Sequence, residues 1–193
     1  MGKGRLEAFS DGVFAIIITI MVLELKVPHG DDFAALTDRW PVFLSYVLSF
    51  INVGIYWVNH HHLLHTAKRV SGSILWANMF LLFWLSLVPF TTGWMGENHF
   101  ALWPVFVYML DMLMSAVSYY MLQLRIVAVH GNQGALARAI GADFKGKASL
   151  VAYVLGMPLV FVSPWIGLGL TVAVALMWLI PDQRIEKALA EEQ

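Results

Sequence analysis

The chain has 193 residues and a formal net charge of −1, with 59% apolar and 13% charged residues. Soluble domains are about 45–50% apolar and about 25% charged, so a water-soluble fold of this size could not bury this much apolar surface. The balanced charge offers no basic surface for nucleic acid, and the absence of cysteine excludes disulfides, thiolate metal sites and cysteine nucleophiles.

Long apolar stretches predict an all-α, polytopic membrane protein, because a span in lipid must satisfy its own backbone hydrogen bonds. A bilayer core needs about 20 apolar residues per helix. The first stretch reaches that length only if some polar side chains lie at membrane depth, and the last one is long enough for a hairpin of two short spans. We therefore predict a single transmembrane domain over residues 1–193, with helices near 6–25, 42–64, 73–95, 101–124, 149–163 and 166–181.

The distribution of Lys and Arg predicts the orientation, because cytoplasmic loops carry an excess of both. With a cytoplasmic N-terminus, the outer loops hold only Lys26 and Arg39. The inner segments hold Lys3, Arg5, Lys68, Arg69, Arg125, Arg138, Lys145, Lys147, Arg184 and Lys187. Both termini are therefore predicted to be cytoplasmic, in a multi-pass protein of the cell (inner) membrane.

The first helix carries an apolar stripe. Ile16, Ile20 and Leu23 have i, i+4, i+7 spacing, and Thr19 lies beside them. If this face lined a pore, the stripe would form stacked apolar rings that close it by dewetting. The spacing alone is equally that of a helix face that packs against a neighbour.

A histidine cluster ends the second predicted helix. His61, His62 and His65 have spacings used by metal ligands. The helix ends at the membrane level where the first helix begins, so topology brings Arg5 and Asp11 to the same depth. The cluster is either a metal site or, with no metal bound, part of a hydrogen-bonded polar layer.

The segment from Arg5 to Asp11 matches the pattern R-x-x-x-F-S-D, and Trp57 to His60 gives Trp-x-x-His. Both resemble the opening helices of the transmembrane protein 175 family of endosomal and lysosomal potassium channels and their prokaryotic relatives. The resemblance covers essentially the whole chain.

That resemblance implies a potassium-permeable cation channel and not an enzyme. Such a channel needs no cofactor beyond its permeant potassium ions. It implies a homotetramer in the bilayer whose four first helices line the pore. Ile16, Ile20 and Leu23 would form the gate, and Thr19 would be a pore-facing hydroxyl linked to selectivity. A polar network would hold the pore helices, and its members would be Arg5, Phe9, Ser10, Asp11, Trp57, Asn59, His60 and His61.

The segment Thr91-Thr92-Gly93-Trp94 is the nearest approach to a carbonyl selectivity filter. It has one glycine and lies inside a predicted span, so we expect no carbonyl cage and only modest selectivity among monovalent cations.

Asp111 lies in the middle of the fourth predicted span, with no cation expected at its depth. An acid inside the membrane is a candidate functional group, although a protonated acid can also serve as a hydrogen-bonding contact between helices.

Two other function classes stay open. A secondary transporter usually has inverted repeats and broken helices at matched positions, and neither is evident. A metalloenzyme built on the histidine cluster would bind metal.

Overall fold

The computed structural model of the chain describes residues 2–67, 69–130 and 143–179. All regular structure in these ranges is helical, which confirms the all-α prediction. The helices are α1 Lys3–Leu23, α2 Phe33–Thr37, α3 Trp40–Thr66, α4 Gly72–Glu97, α5 Leu102–His130, α6 Phe144–Leu159 and α7 Pro164–Leu179. The predicted inner-loop cations Lys68 and Arg138, the last residues of the sixth predicted span and the C-terminal cations lie outside the described residues.

Four helices, α1, α3, α4 and α5, are long and apolar enough to cross a membrane. The helices α6 and α7 have 16 residues each, which corresponds to about 24 Å of length. A bilayer core is about 30 Å thick. The four long helices thus support a multi-pass membrane protein, and a crossing by the α6–α7 hairpin stays a prediction.

Side-chain caps set several helix starts. Ser71 Oγ accepts a hydrogen bond from the Ile74 backbone N–H (3.4 Å) at the start of α4. Asp143 Oδ1 accepts one from the Gly146 N–H (2.9 Å), so α6 begins five residues before the expected position 149. The same type of cap at Asp32, bonded to the Ala35 N–H, starts the short helix α2, which was not predicted.

The helix α4 lies at the centre of the bundle. It packs against α5, α3 and α1, while α6 and α7 pair with each other and pack on α5. The close approach of α4 to α3 requires Gly96, because an added Cβ would lie 2.8 Å from the Val42 Cα. A tight turn joins α4 to α5, with positive φ angles at His99 (52°) and Phe100 (58°).

The bundle has two ends, and we call the one at which α1 begins the lower end. There, the Lys3 ammonium donates to the His65 carbonyl at the end of α3 (2.8 Å). At the upper end, the Lys26 ammonium donates to the Glu97 carboxylate at the end of α4 (2.6 Å). The helices α3 and α5 run from the upper to the lower end.

Candidate functional site

The two faces of α1 have different environments. One face packs against α3 and α4, and its buried residues are Leu6, Ser10, Phe14, Ile17 and Met21. The other face carries the predicted gate residues, and within one protomer Ile16 is 57% exposed, Ile20 42% and Leu23 77%. The apolar stripe therefore does not pack within the protomer, and it is open to lipid, to another subunit or to a pore.

Thr19 and Phe9 are also exposed. The Thr19 hydroxyl donates to the Ile16 carbonyl in the preceding turn (2.9 Å), so its oxygen keeps its capacity to accept. A hydroxyl held in this way can accept a hydrogen bond or contact a cation without exposing a free backbone carbonyl.

A chain of hydrogen bonds fastens the buried face of α1 to α4 and α3. The Asn78 amide donates to Ser10 Oγ (3.0 Å), and Ser10 in turn donates to the Leu6 carbonyl (2.9 Å). His60 Nε2 lies 2.7 Å from Asn78 Oδ1. Because the Asn78 nitrogen is the donor to Ser10, its oxygen faces His60, and Nε2 must carry the proton of that bond. We call Ser10, Asn78 and His60 the polar chain.

A second contact lies beside the polar chain. The Trp57 indole N–H donates to Asp11 Oδ1 (2.9 Å), which links α3 to α1 one residue beyond Ser10. The Phe14 ring packs one turn further along against the His60 imidazole, with ring centres 5.4 Å apart. The structure thus brings together four of the predicted network residues: Ser10, Asp11, Trp57 and His60.

The other predicted network residues are placed differently. The Arg5 side chain is exposed, and neither of the two ion pairs in the described part of the chain, Lys3–Glu7 and Lys26–Glu97, includes it. The Asn59 amide donates to the Ile55 carbonyl of its own helix (2.8 Å), and its backbone carbonyl accepts from the Tyr119 hydroxyl (3.0 Å). His61 is exposed, with its ring 6.4 Å from that of Trp57.

Asn78 is the member of the polar chain that the sequence reasoning missed. It is fully buried at the middle of the polar chain, where its amide bonds to His60 on one side and to Ser10 on the other. The available signal was an amide within the otherwise apolar stretch that forms α4, where a polar side chain must find a partner on another helix.

The segment Thr91–Trp94 is helical throughout, within α4. Its carbonyls therefore belong to the helix ladder rather than to a filter loop. Both threonines point to neighbouring helices: the Thr92 hydroxyl donates to Ser49 Oγ (2.6 Å), and the Thr91 hydroxyl lies 3.0 Å from Asp111 Oδ2.

Asp111 is buried at 2% exposure in α5. Thr91 contacts one of its carboxyl oxygens, and the other, Oδ1, has no hydrogen-bond partner among the described residues. The polar chain and Asp111 are separate features, on different helices.

The histidines at the end of α3 stack along the helix, with the His61 and His65 ring centres 6.4 Å apart. Within residues 2–67, 69–130 and 143–179, no group of three or more His, Asp or Glu side chains is arranged to hold a metal ion.

Comparison with known proteins places this arrangement in a family. Residues 5–89 match the model of the family described as endosomal/lysosomal potassium channel TMEM175. A protein named potassium channel from Chryseobacterium sp. (strain P1-3) is 56% identical over 191 residues, which is 99% of this chain and 100% of that protein.

Two more distant relatives extend the comparison. The endosomal/lysosomal proton channel TMEM175 of Homo sapiens is 42% identical over 81 residues, covering 35% of this chain and 16% of that protein. The crystal structure of a lysosomal potassium-selective channel TMEM175 homolog from Chamaesiphon minutus superimposes with a TM-score of 0.81 at 29% identity, covering 92% of this chain and 96% of the other. The near-complete match to the bacterial relative and the shared fold agree with the opening signature: the chain belongs to the TMEM175 family.

Proposed function

We propose that this chain forms a potassium-permeable cation channel in the cell (inner) membrane, with a pore lined by α1 from each subunit. The observation that carries the proposal is the division of α1 into a fastened face and an exposed apolar face. A helix that only packed would bury its apolar stripe within the protomer, whereas Ile16, Ile20 and Leu23 are left uncovered.

The proposed topology has six crossings with both termini in the cytoplasm, so that the lower end of the bundle is the cytoplasmic end. The excess of Lys and Arg in the inner segments supports this orientation. The whole chain, residues 1–193, then makes one transmembrane domain.

The proposed gate consists of Ile16, Ile20 and Leu23. These side chains lie on one face over two turns, a length of about 10 Å along the pore axis. Rings of such side chains from several subunits exclude water when they are close together, which blocks ions without a plug. Thr19, whose hydroxyl is held by the Ile16 carbonyl, is the proposed polar contact for a passing cation.

A channel of this design discriminates between cations modestly. The only string resembling a carbonyl filter in the described part of the chain is built into α4, so no ring of carbonyls replaces the hydration shell of potassium. We propose that the pore needs no cofactor and passes other monovalent cations less readily than potassium.

We propose that the polar network positions the pore helix α1 within the protomer. The polar chain and the Asp11–Trp57 bond hold the buried face of α1 against α3 and α4, and they fix the direction in which the gate side chains point. Arg5, Phe9 and His61 are exposed within a protomer, and we place them at contacts between subunits, where Arg5 would find an anionic partner. Asn59 orients α3 through its bond with Tyr119.

One exposed face of one helix cannot enclose a pore, so several subunits are needed, and the family resemblance implies that the assembly is a homotetramer. The exposed apolar residues of α3, among them Phe50, Trp57 and Val58, lie on the helix next to α1 and provide apolar surface for a neighbouring subunit.

Cation flux tests this function. Purified protein in liposomes should pass potassium faster than sodium at matched gradients, and Ile16→Asn should raise the flux of both several-fold because a polar ring keeps the constriction wet. The matched control is Leu155→Asn on α6, which makes the same kind of change at a side chain that is 59% exposed but remote from α1.

The outcomes separate the gate from the function. Flux in the wild type that Ile16→Asn leaves unchanged would remove the stripe as the barrier while leaving the channel. Absence of flux in every variant, with insertion verified by protease protection, would contradict the channel itself. An equal rise in Leu155→Asn would point to leakage from a loosened bundle.

A further inference from the structure

Four polar residues form a row along α5, away from α1. Asp111, Ser115, Tyr119 and Gln123 follow at intervals of four positions, the spacing of one ridge on a helix surface. The row runs for about 18 Å, from the middle of the helix toward the lower end. All four side chains are at least nine-tenths buried. We call them the α5 row.

Three of the four residues of the α5 row have a polar atom without a protein partner among the described residues, whereas the Tyr119 hydroxyl donates to the Asn59 carbonyl (3.0 Å). Asp111 Oδ1, Ser115 Oγ and Gln123 Oε1 are buried and form no hydrogen bond with the described part of the chain. An unsatisfied polar group inside a membrane is strongly unfavourable, and three along one ridge are too many for a dry interior. Side chains four positions apart on a helix are about 5–6 Å apart at Cβ, a gap that one water molecule bridges.

A cavity opens at the lower end of the row. Its volume is about 50 Å³, enough for several water molecules, since one needs about 10–15 Å³. Polar side chains from three helices and the α6 cap line it, among them Asn52, Asn59, Tyr119, Gln123, Asp143 and Ser149. Gln123 and Tyr119 thus belong to both the cavity and the α5 row.

A second series of polar groups leads from the cavity lining toward Asp111, and it consists of Asn52 and Tyr108. The Asn52 amide lies 3.5 Å from the Tyr108 hydroxyl, which also accepts from Ser49 (3.1 Å). Tyr108 precedes Asp111 by three positions, on the same side of α5.

The ionisable groups around Asp111 are phenols rather than cations. Tyr108 on α5 and Tyr56 on α3 interact with it electrostatically, and Tyr153 on α6 adjoins them. From α4, Thr91 contributes only a hydroxyl, and the described residues of α7 include no ionisable side chain. The other charged groups on α5 and on the helices packed against it lie nearer the helix ends: the α3 histidines, Glu97, Arg125, Lys145 and Lys147. A carboxylate in these surroundings has no counter-charge and is retained most easily as the neutral acid.

We propose that Asp111 is a proton-binding site reached by water from the cavity, through Gln123, Tyr119 and Ser115. Each protomer would then carry a path for proton exchange inside its own helix bundle, separate from the exposed face of α1. The ligand is the proton, delivered by water. The proposal concerns the single protomer and holds whether or not α1 lines a pore.

Infrared spectroscopy of the protein in liposomes tests the site directly. The carbonyl stretch of a neutral carboxylic acid is assigned to Asp111 as the band that Asp111→Asn removes. In the wild type, transfer to heavy-water buffer should shift this band faster than it exchanges the backbone amides of α5. Gln123→Leu should slow the shift about tenfold, the factor for loss of one ordinary hydrogen bond from the path.

A second position guards against a variant that does not fold. Ser115→Val replaces the unpartnered hydroxyl by two methyl groups and should slow the exchange similarly. Ser118→Val is the matched control, because Ser118 is equally buried on α5 but its hydroxyl donates to the Met114 carbonyl of its own helix; it should leave the exchange rate unchanged.

Three results would overturn the proposal. The absence of an Asp111 acid band at every pH tested would mean that this residue holds no proton. A band that exchanges no faster than the α5 amides would mean that water does not reach it. Fast exchange that neither Gln123→Leu nor Ser115→Val slows would place the water path elsewhere. None of these readouts depends on ion flux, so they are independent of the channel function.

Discussion

The polar chain and the α5 row are both polar features in an apolar helix bundle, yet their bonding differs. In the polar chain, Ser10, Asn78 and His60 bond to one another in series, and the series ends on a backbone carbonyl. In the α5 row, three buried atoms have no protein partner among the described residues. The first arrangement is closed by protein alone, and in our proposal the second is completed by water.

This difference separates two uses of polar groups at membrane depth. A closed series of bonds joins specific helices in one geometry, because each group would be costly if its partner moved. An open row leaves donors and acceptors for water, which exchanges and carries protons. The polar chain is accordingly expected to determine stability, and the α5 row to contribute little to it.

The largest effect is expected from Asn78→Leu, which breaks the polar chain at its centre. It removes the partners of both Ser10 and the His60 N–H and leaves the latter buried without a bond. We expect the free energy of unfolding in detergent to fall by about 3 kcal/mol, since each stranded group costs about 1–3 kcal/mol. A denaturant titration of the purified protein measures this.

Asn59→Leu is the matched control for that prediction, because the Asn59 amide bonds only to a carbonyl of its own helix. It should cost clearly less than Asn78→Leu. Equal losses would mean that the polar chain is no more important than an ordinary helical amide.

A middle-sized effect is expected from Trp57→Phe, which keeps an aromatic ring but removes the N–H that bonds to Asp11. The carboxylate of Asp11 is exposed within the protomer, so water can replace the lost donor. We expect a loss of about 1 kcal/mol in the same titration. A loss as large as that of Asn78→Leu would show that this bond belongs to the closed arrangement.

A pair of serines gives a sharper test with a smaller effect. Ser10→Ala removes an acceptor from the polar chain and should destabilise the protein by about 1 kcal/mol. Ser115→Ala removes a buried hydroxyl that has no protein partner, and its effect should stay within about 0.5 kcal/mol. If both serines behaved alike in thermal unfolding, the contrast between the two features would fail.

The sequence predicted the long helices because their apolar runs are long and uninterrupted. It did not predict the start of α6 at residue 144, because that start depends on the Asp143 cap, or the helix α2, which a single aspartate cap begins. Hydropathy does not report such local hydrogen bonds between a side chain and the backbone, so it cannot place a helix start that depends on one.

For the candidate site, topology predicted that Asp11 and the α3 histidines share one level, and the family resemblance added Ser10 and Trp57. In the structure Trp57 bonds directly to Asp11, whereas Ser10 and His60 are linked through Asn78. Asn59 precedes His60 by one position, which places its side chain about 100° around the helix from that of His60. Its amide therefore bonds to a carbonyl of its own helix instead of to Asn78. The distribution of partners across helices decides such cases: Asn78 lies on a third helix, whose register relative to α1 no sequence pattern specifies.

The smallest effect is expected at the upper end, where Lys26 and Glu97 form an exposed ion pair outside both polar features. The hydrogen bond from Lys26 to the Glu97 carboxylate raises the pKa of Lys26 above its ordinary value of 10.5. A raised pKa in the folded state stabilises the protein fully below that ordinary value, and the contribution is lost as the pH rises through the folded-state pKa. Glu97→Gln should therefore lower the melting temperature slightly at neutral pH, close to the resolution of the measurement, since exposed pairs contribute little. The difference from the wild type should vanish in strongly alkaline buffer and shrink in high salt. A large loss at neutral pH would mean that the upper end of α1 is fastened by charge as firmly as its lower half is by the polar chain.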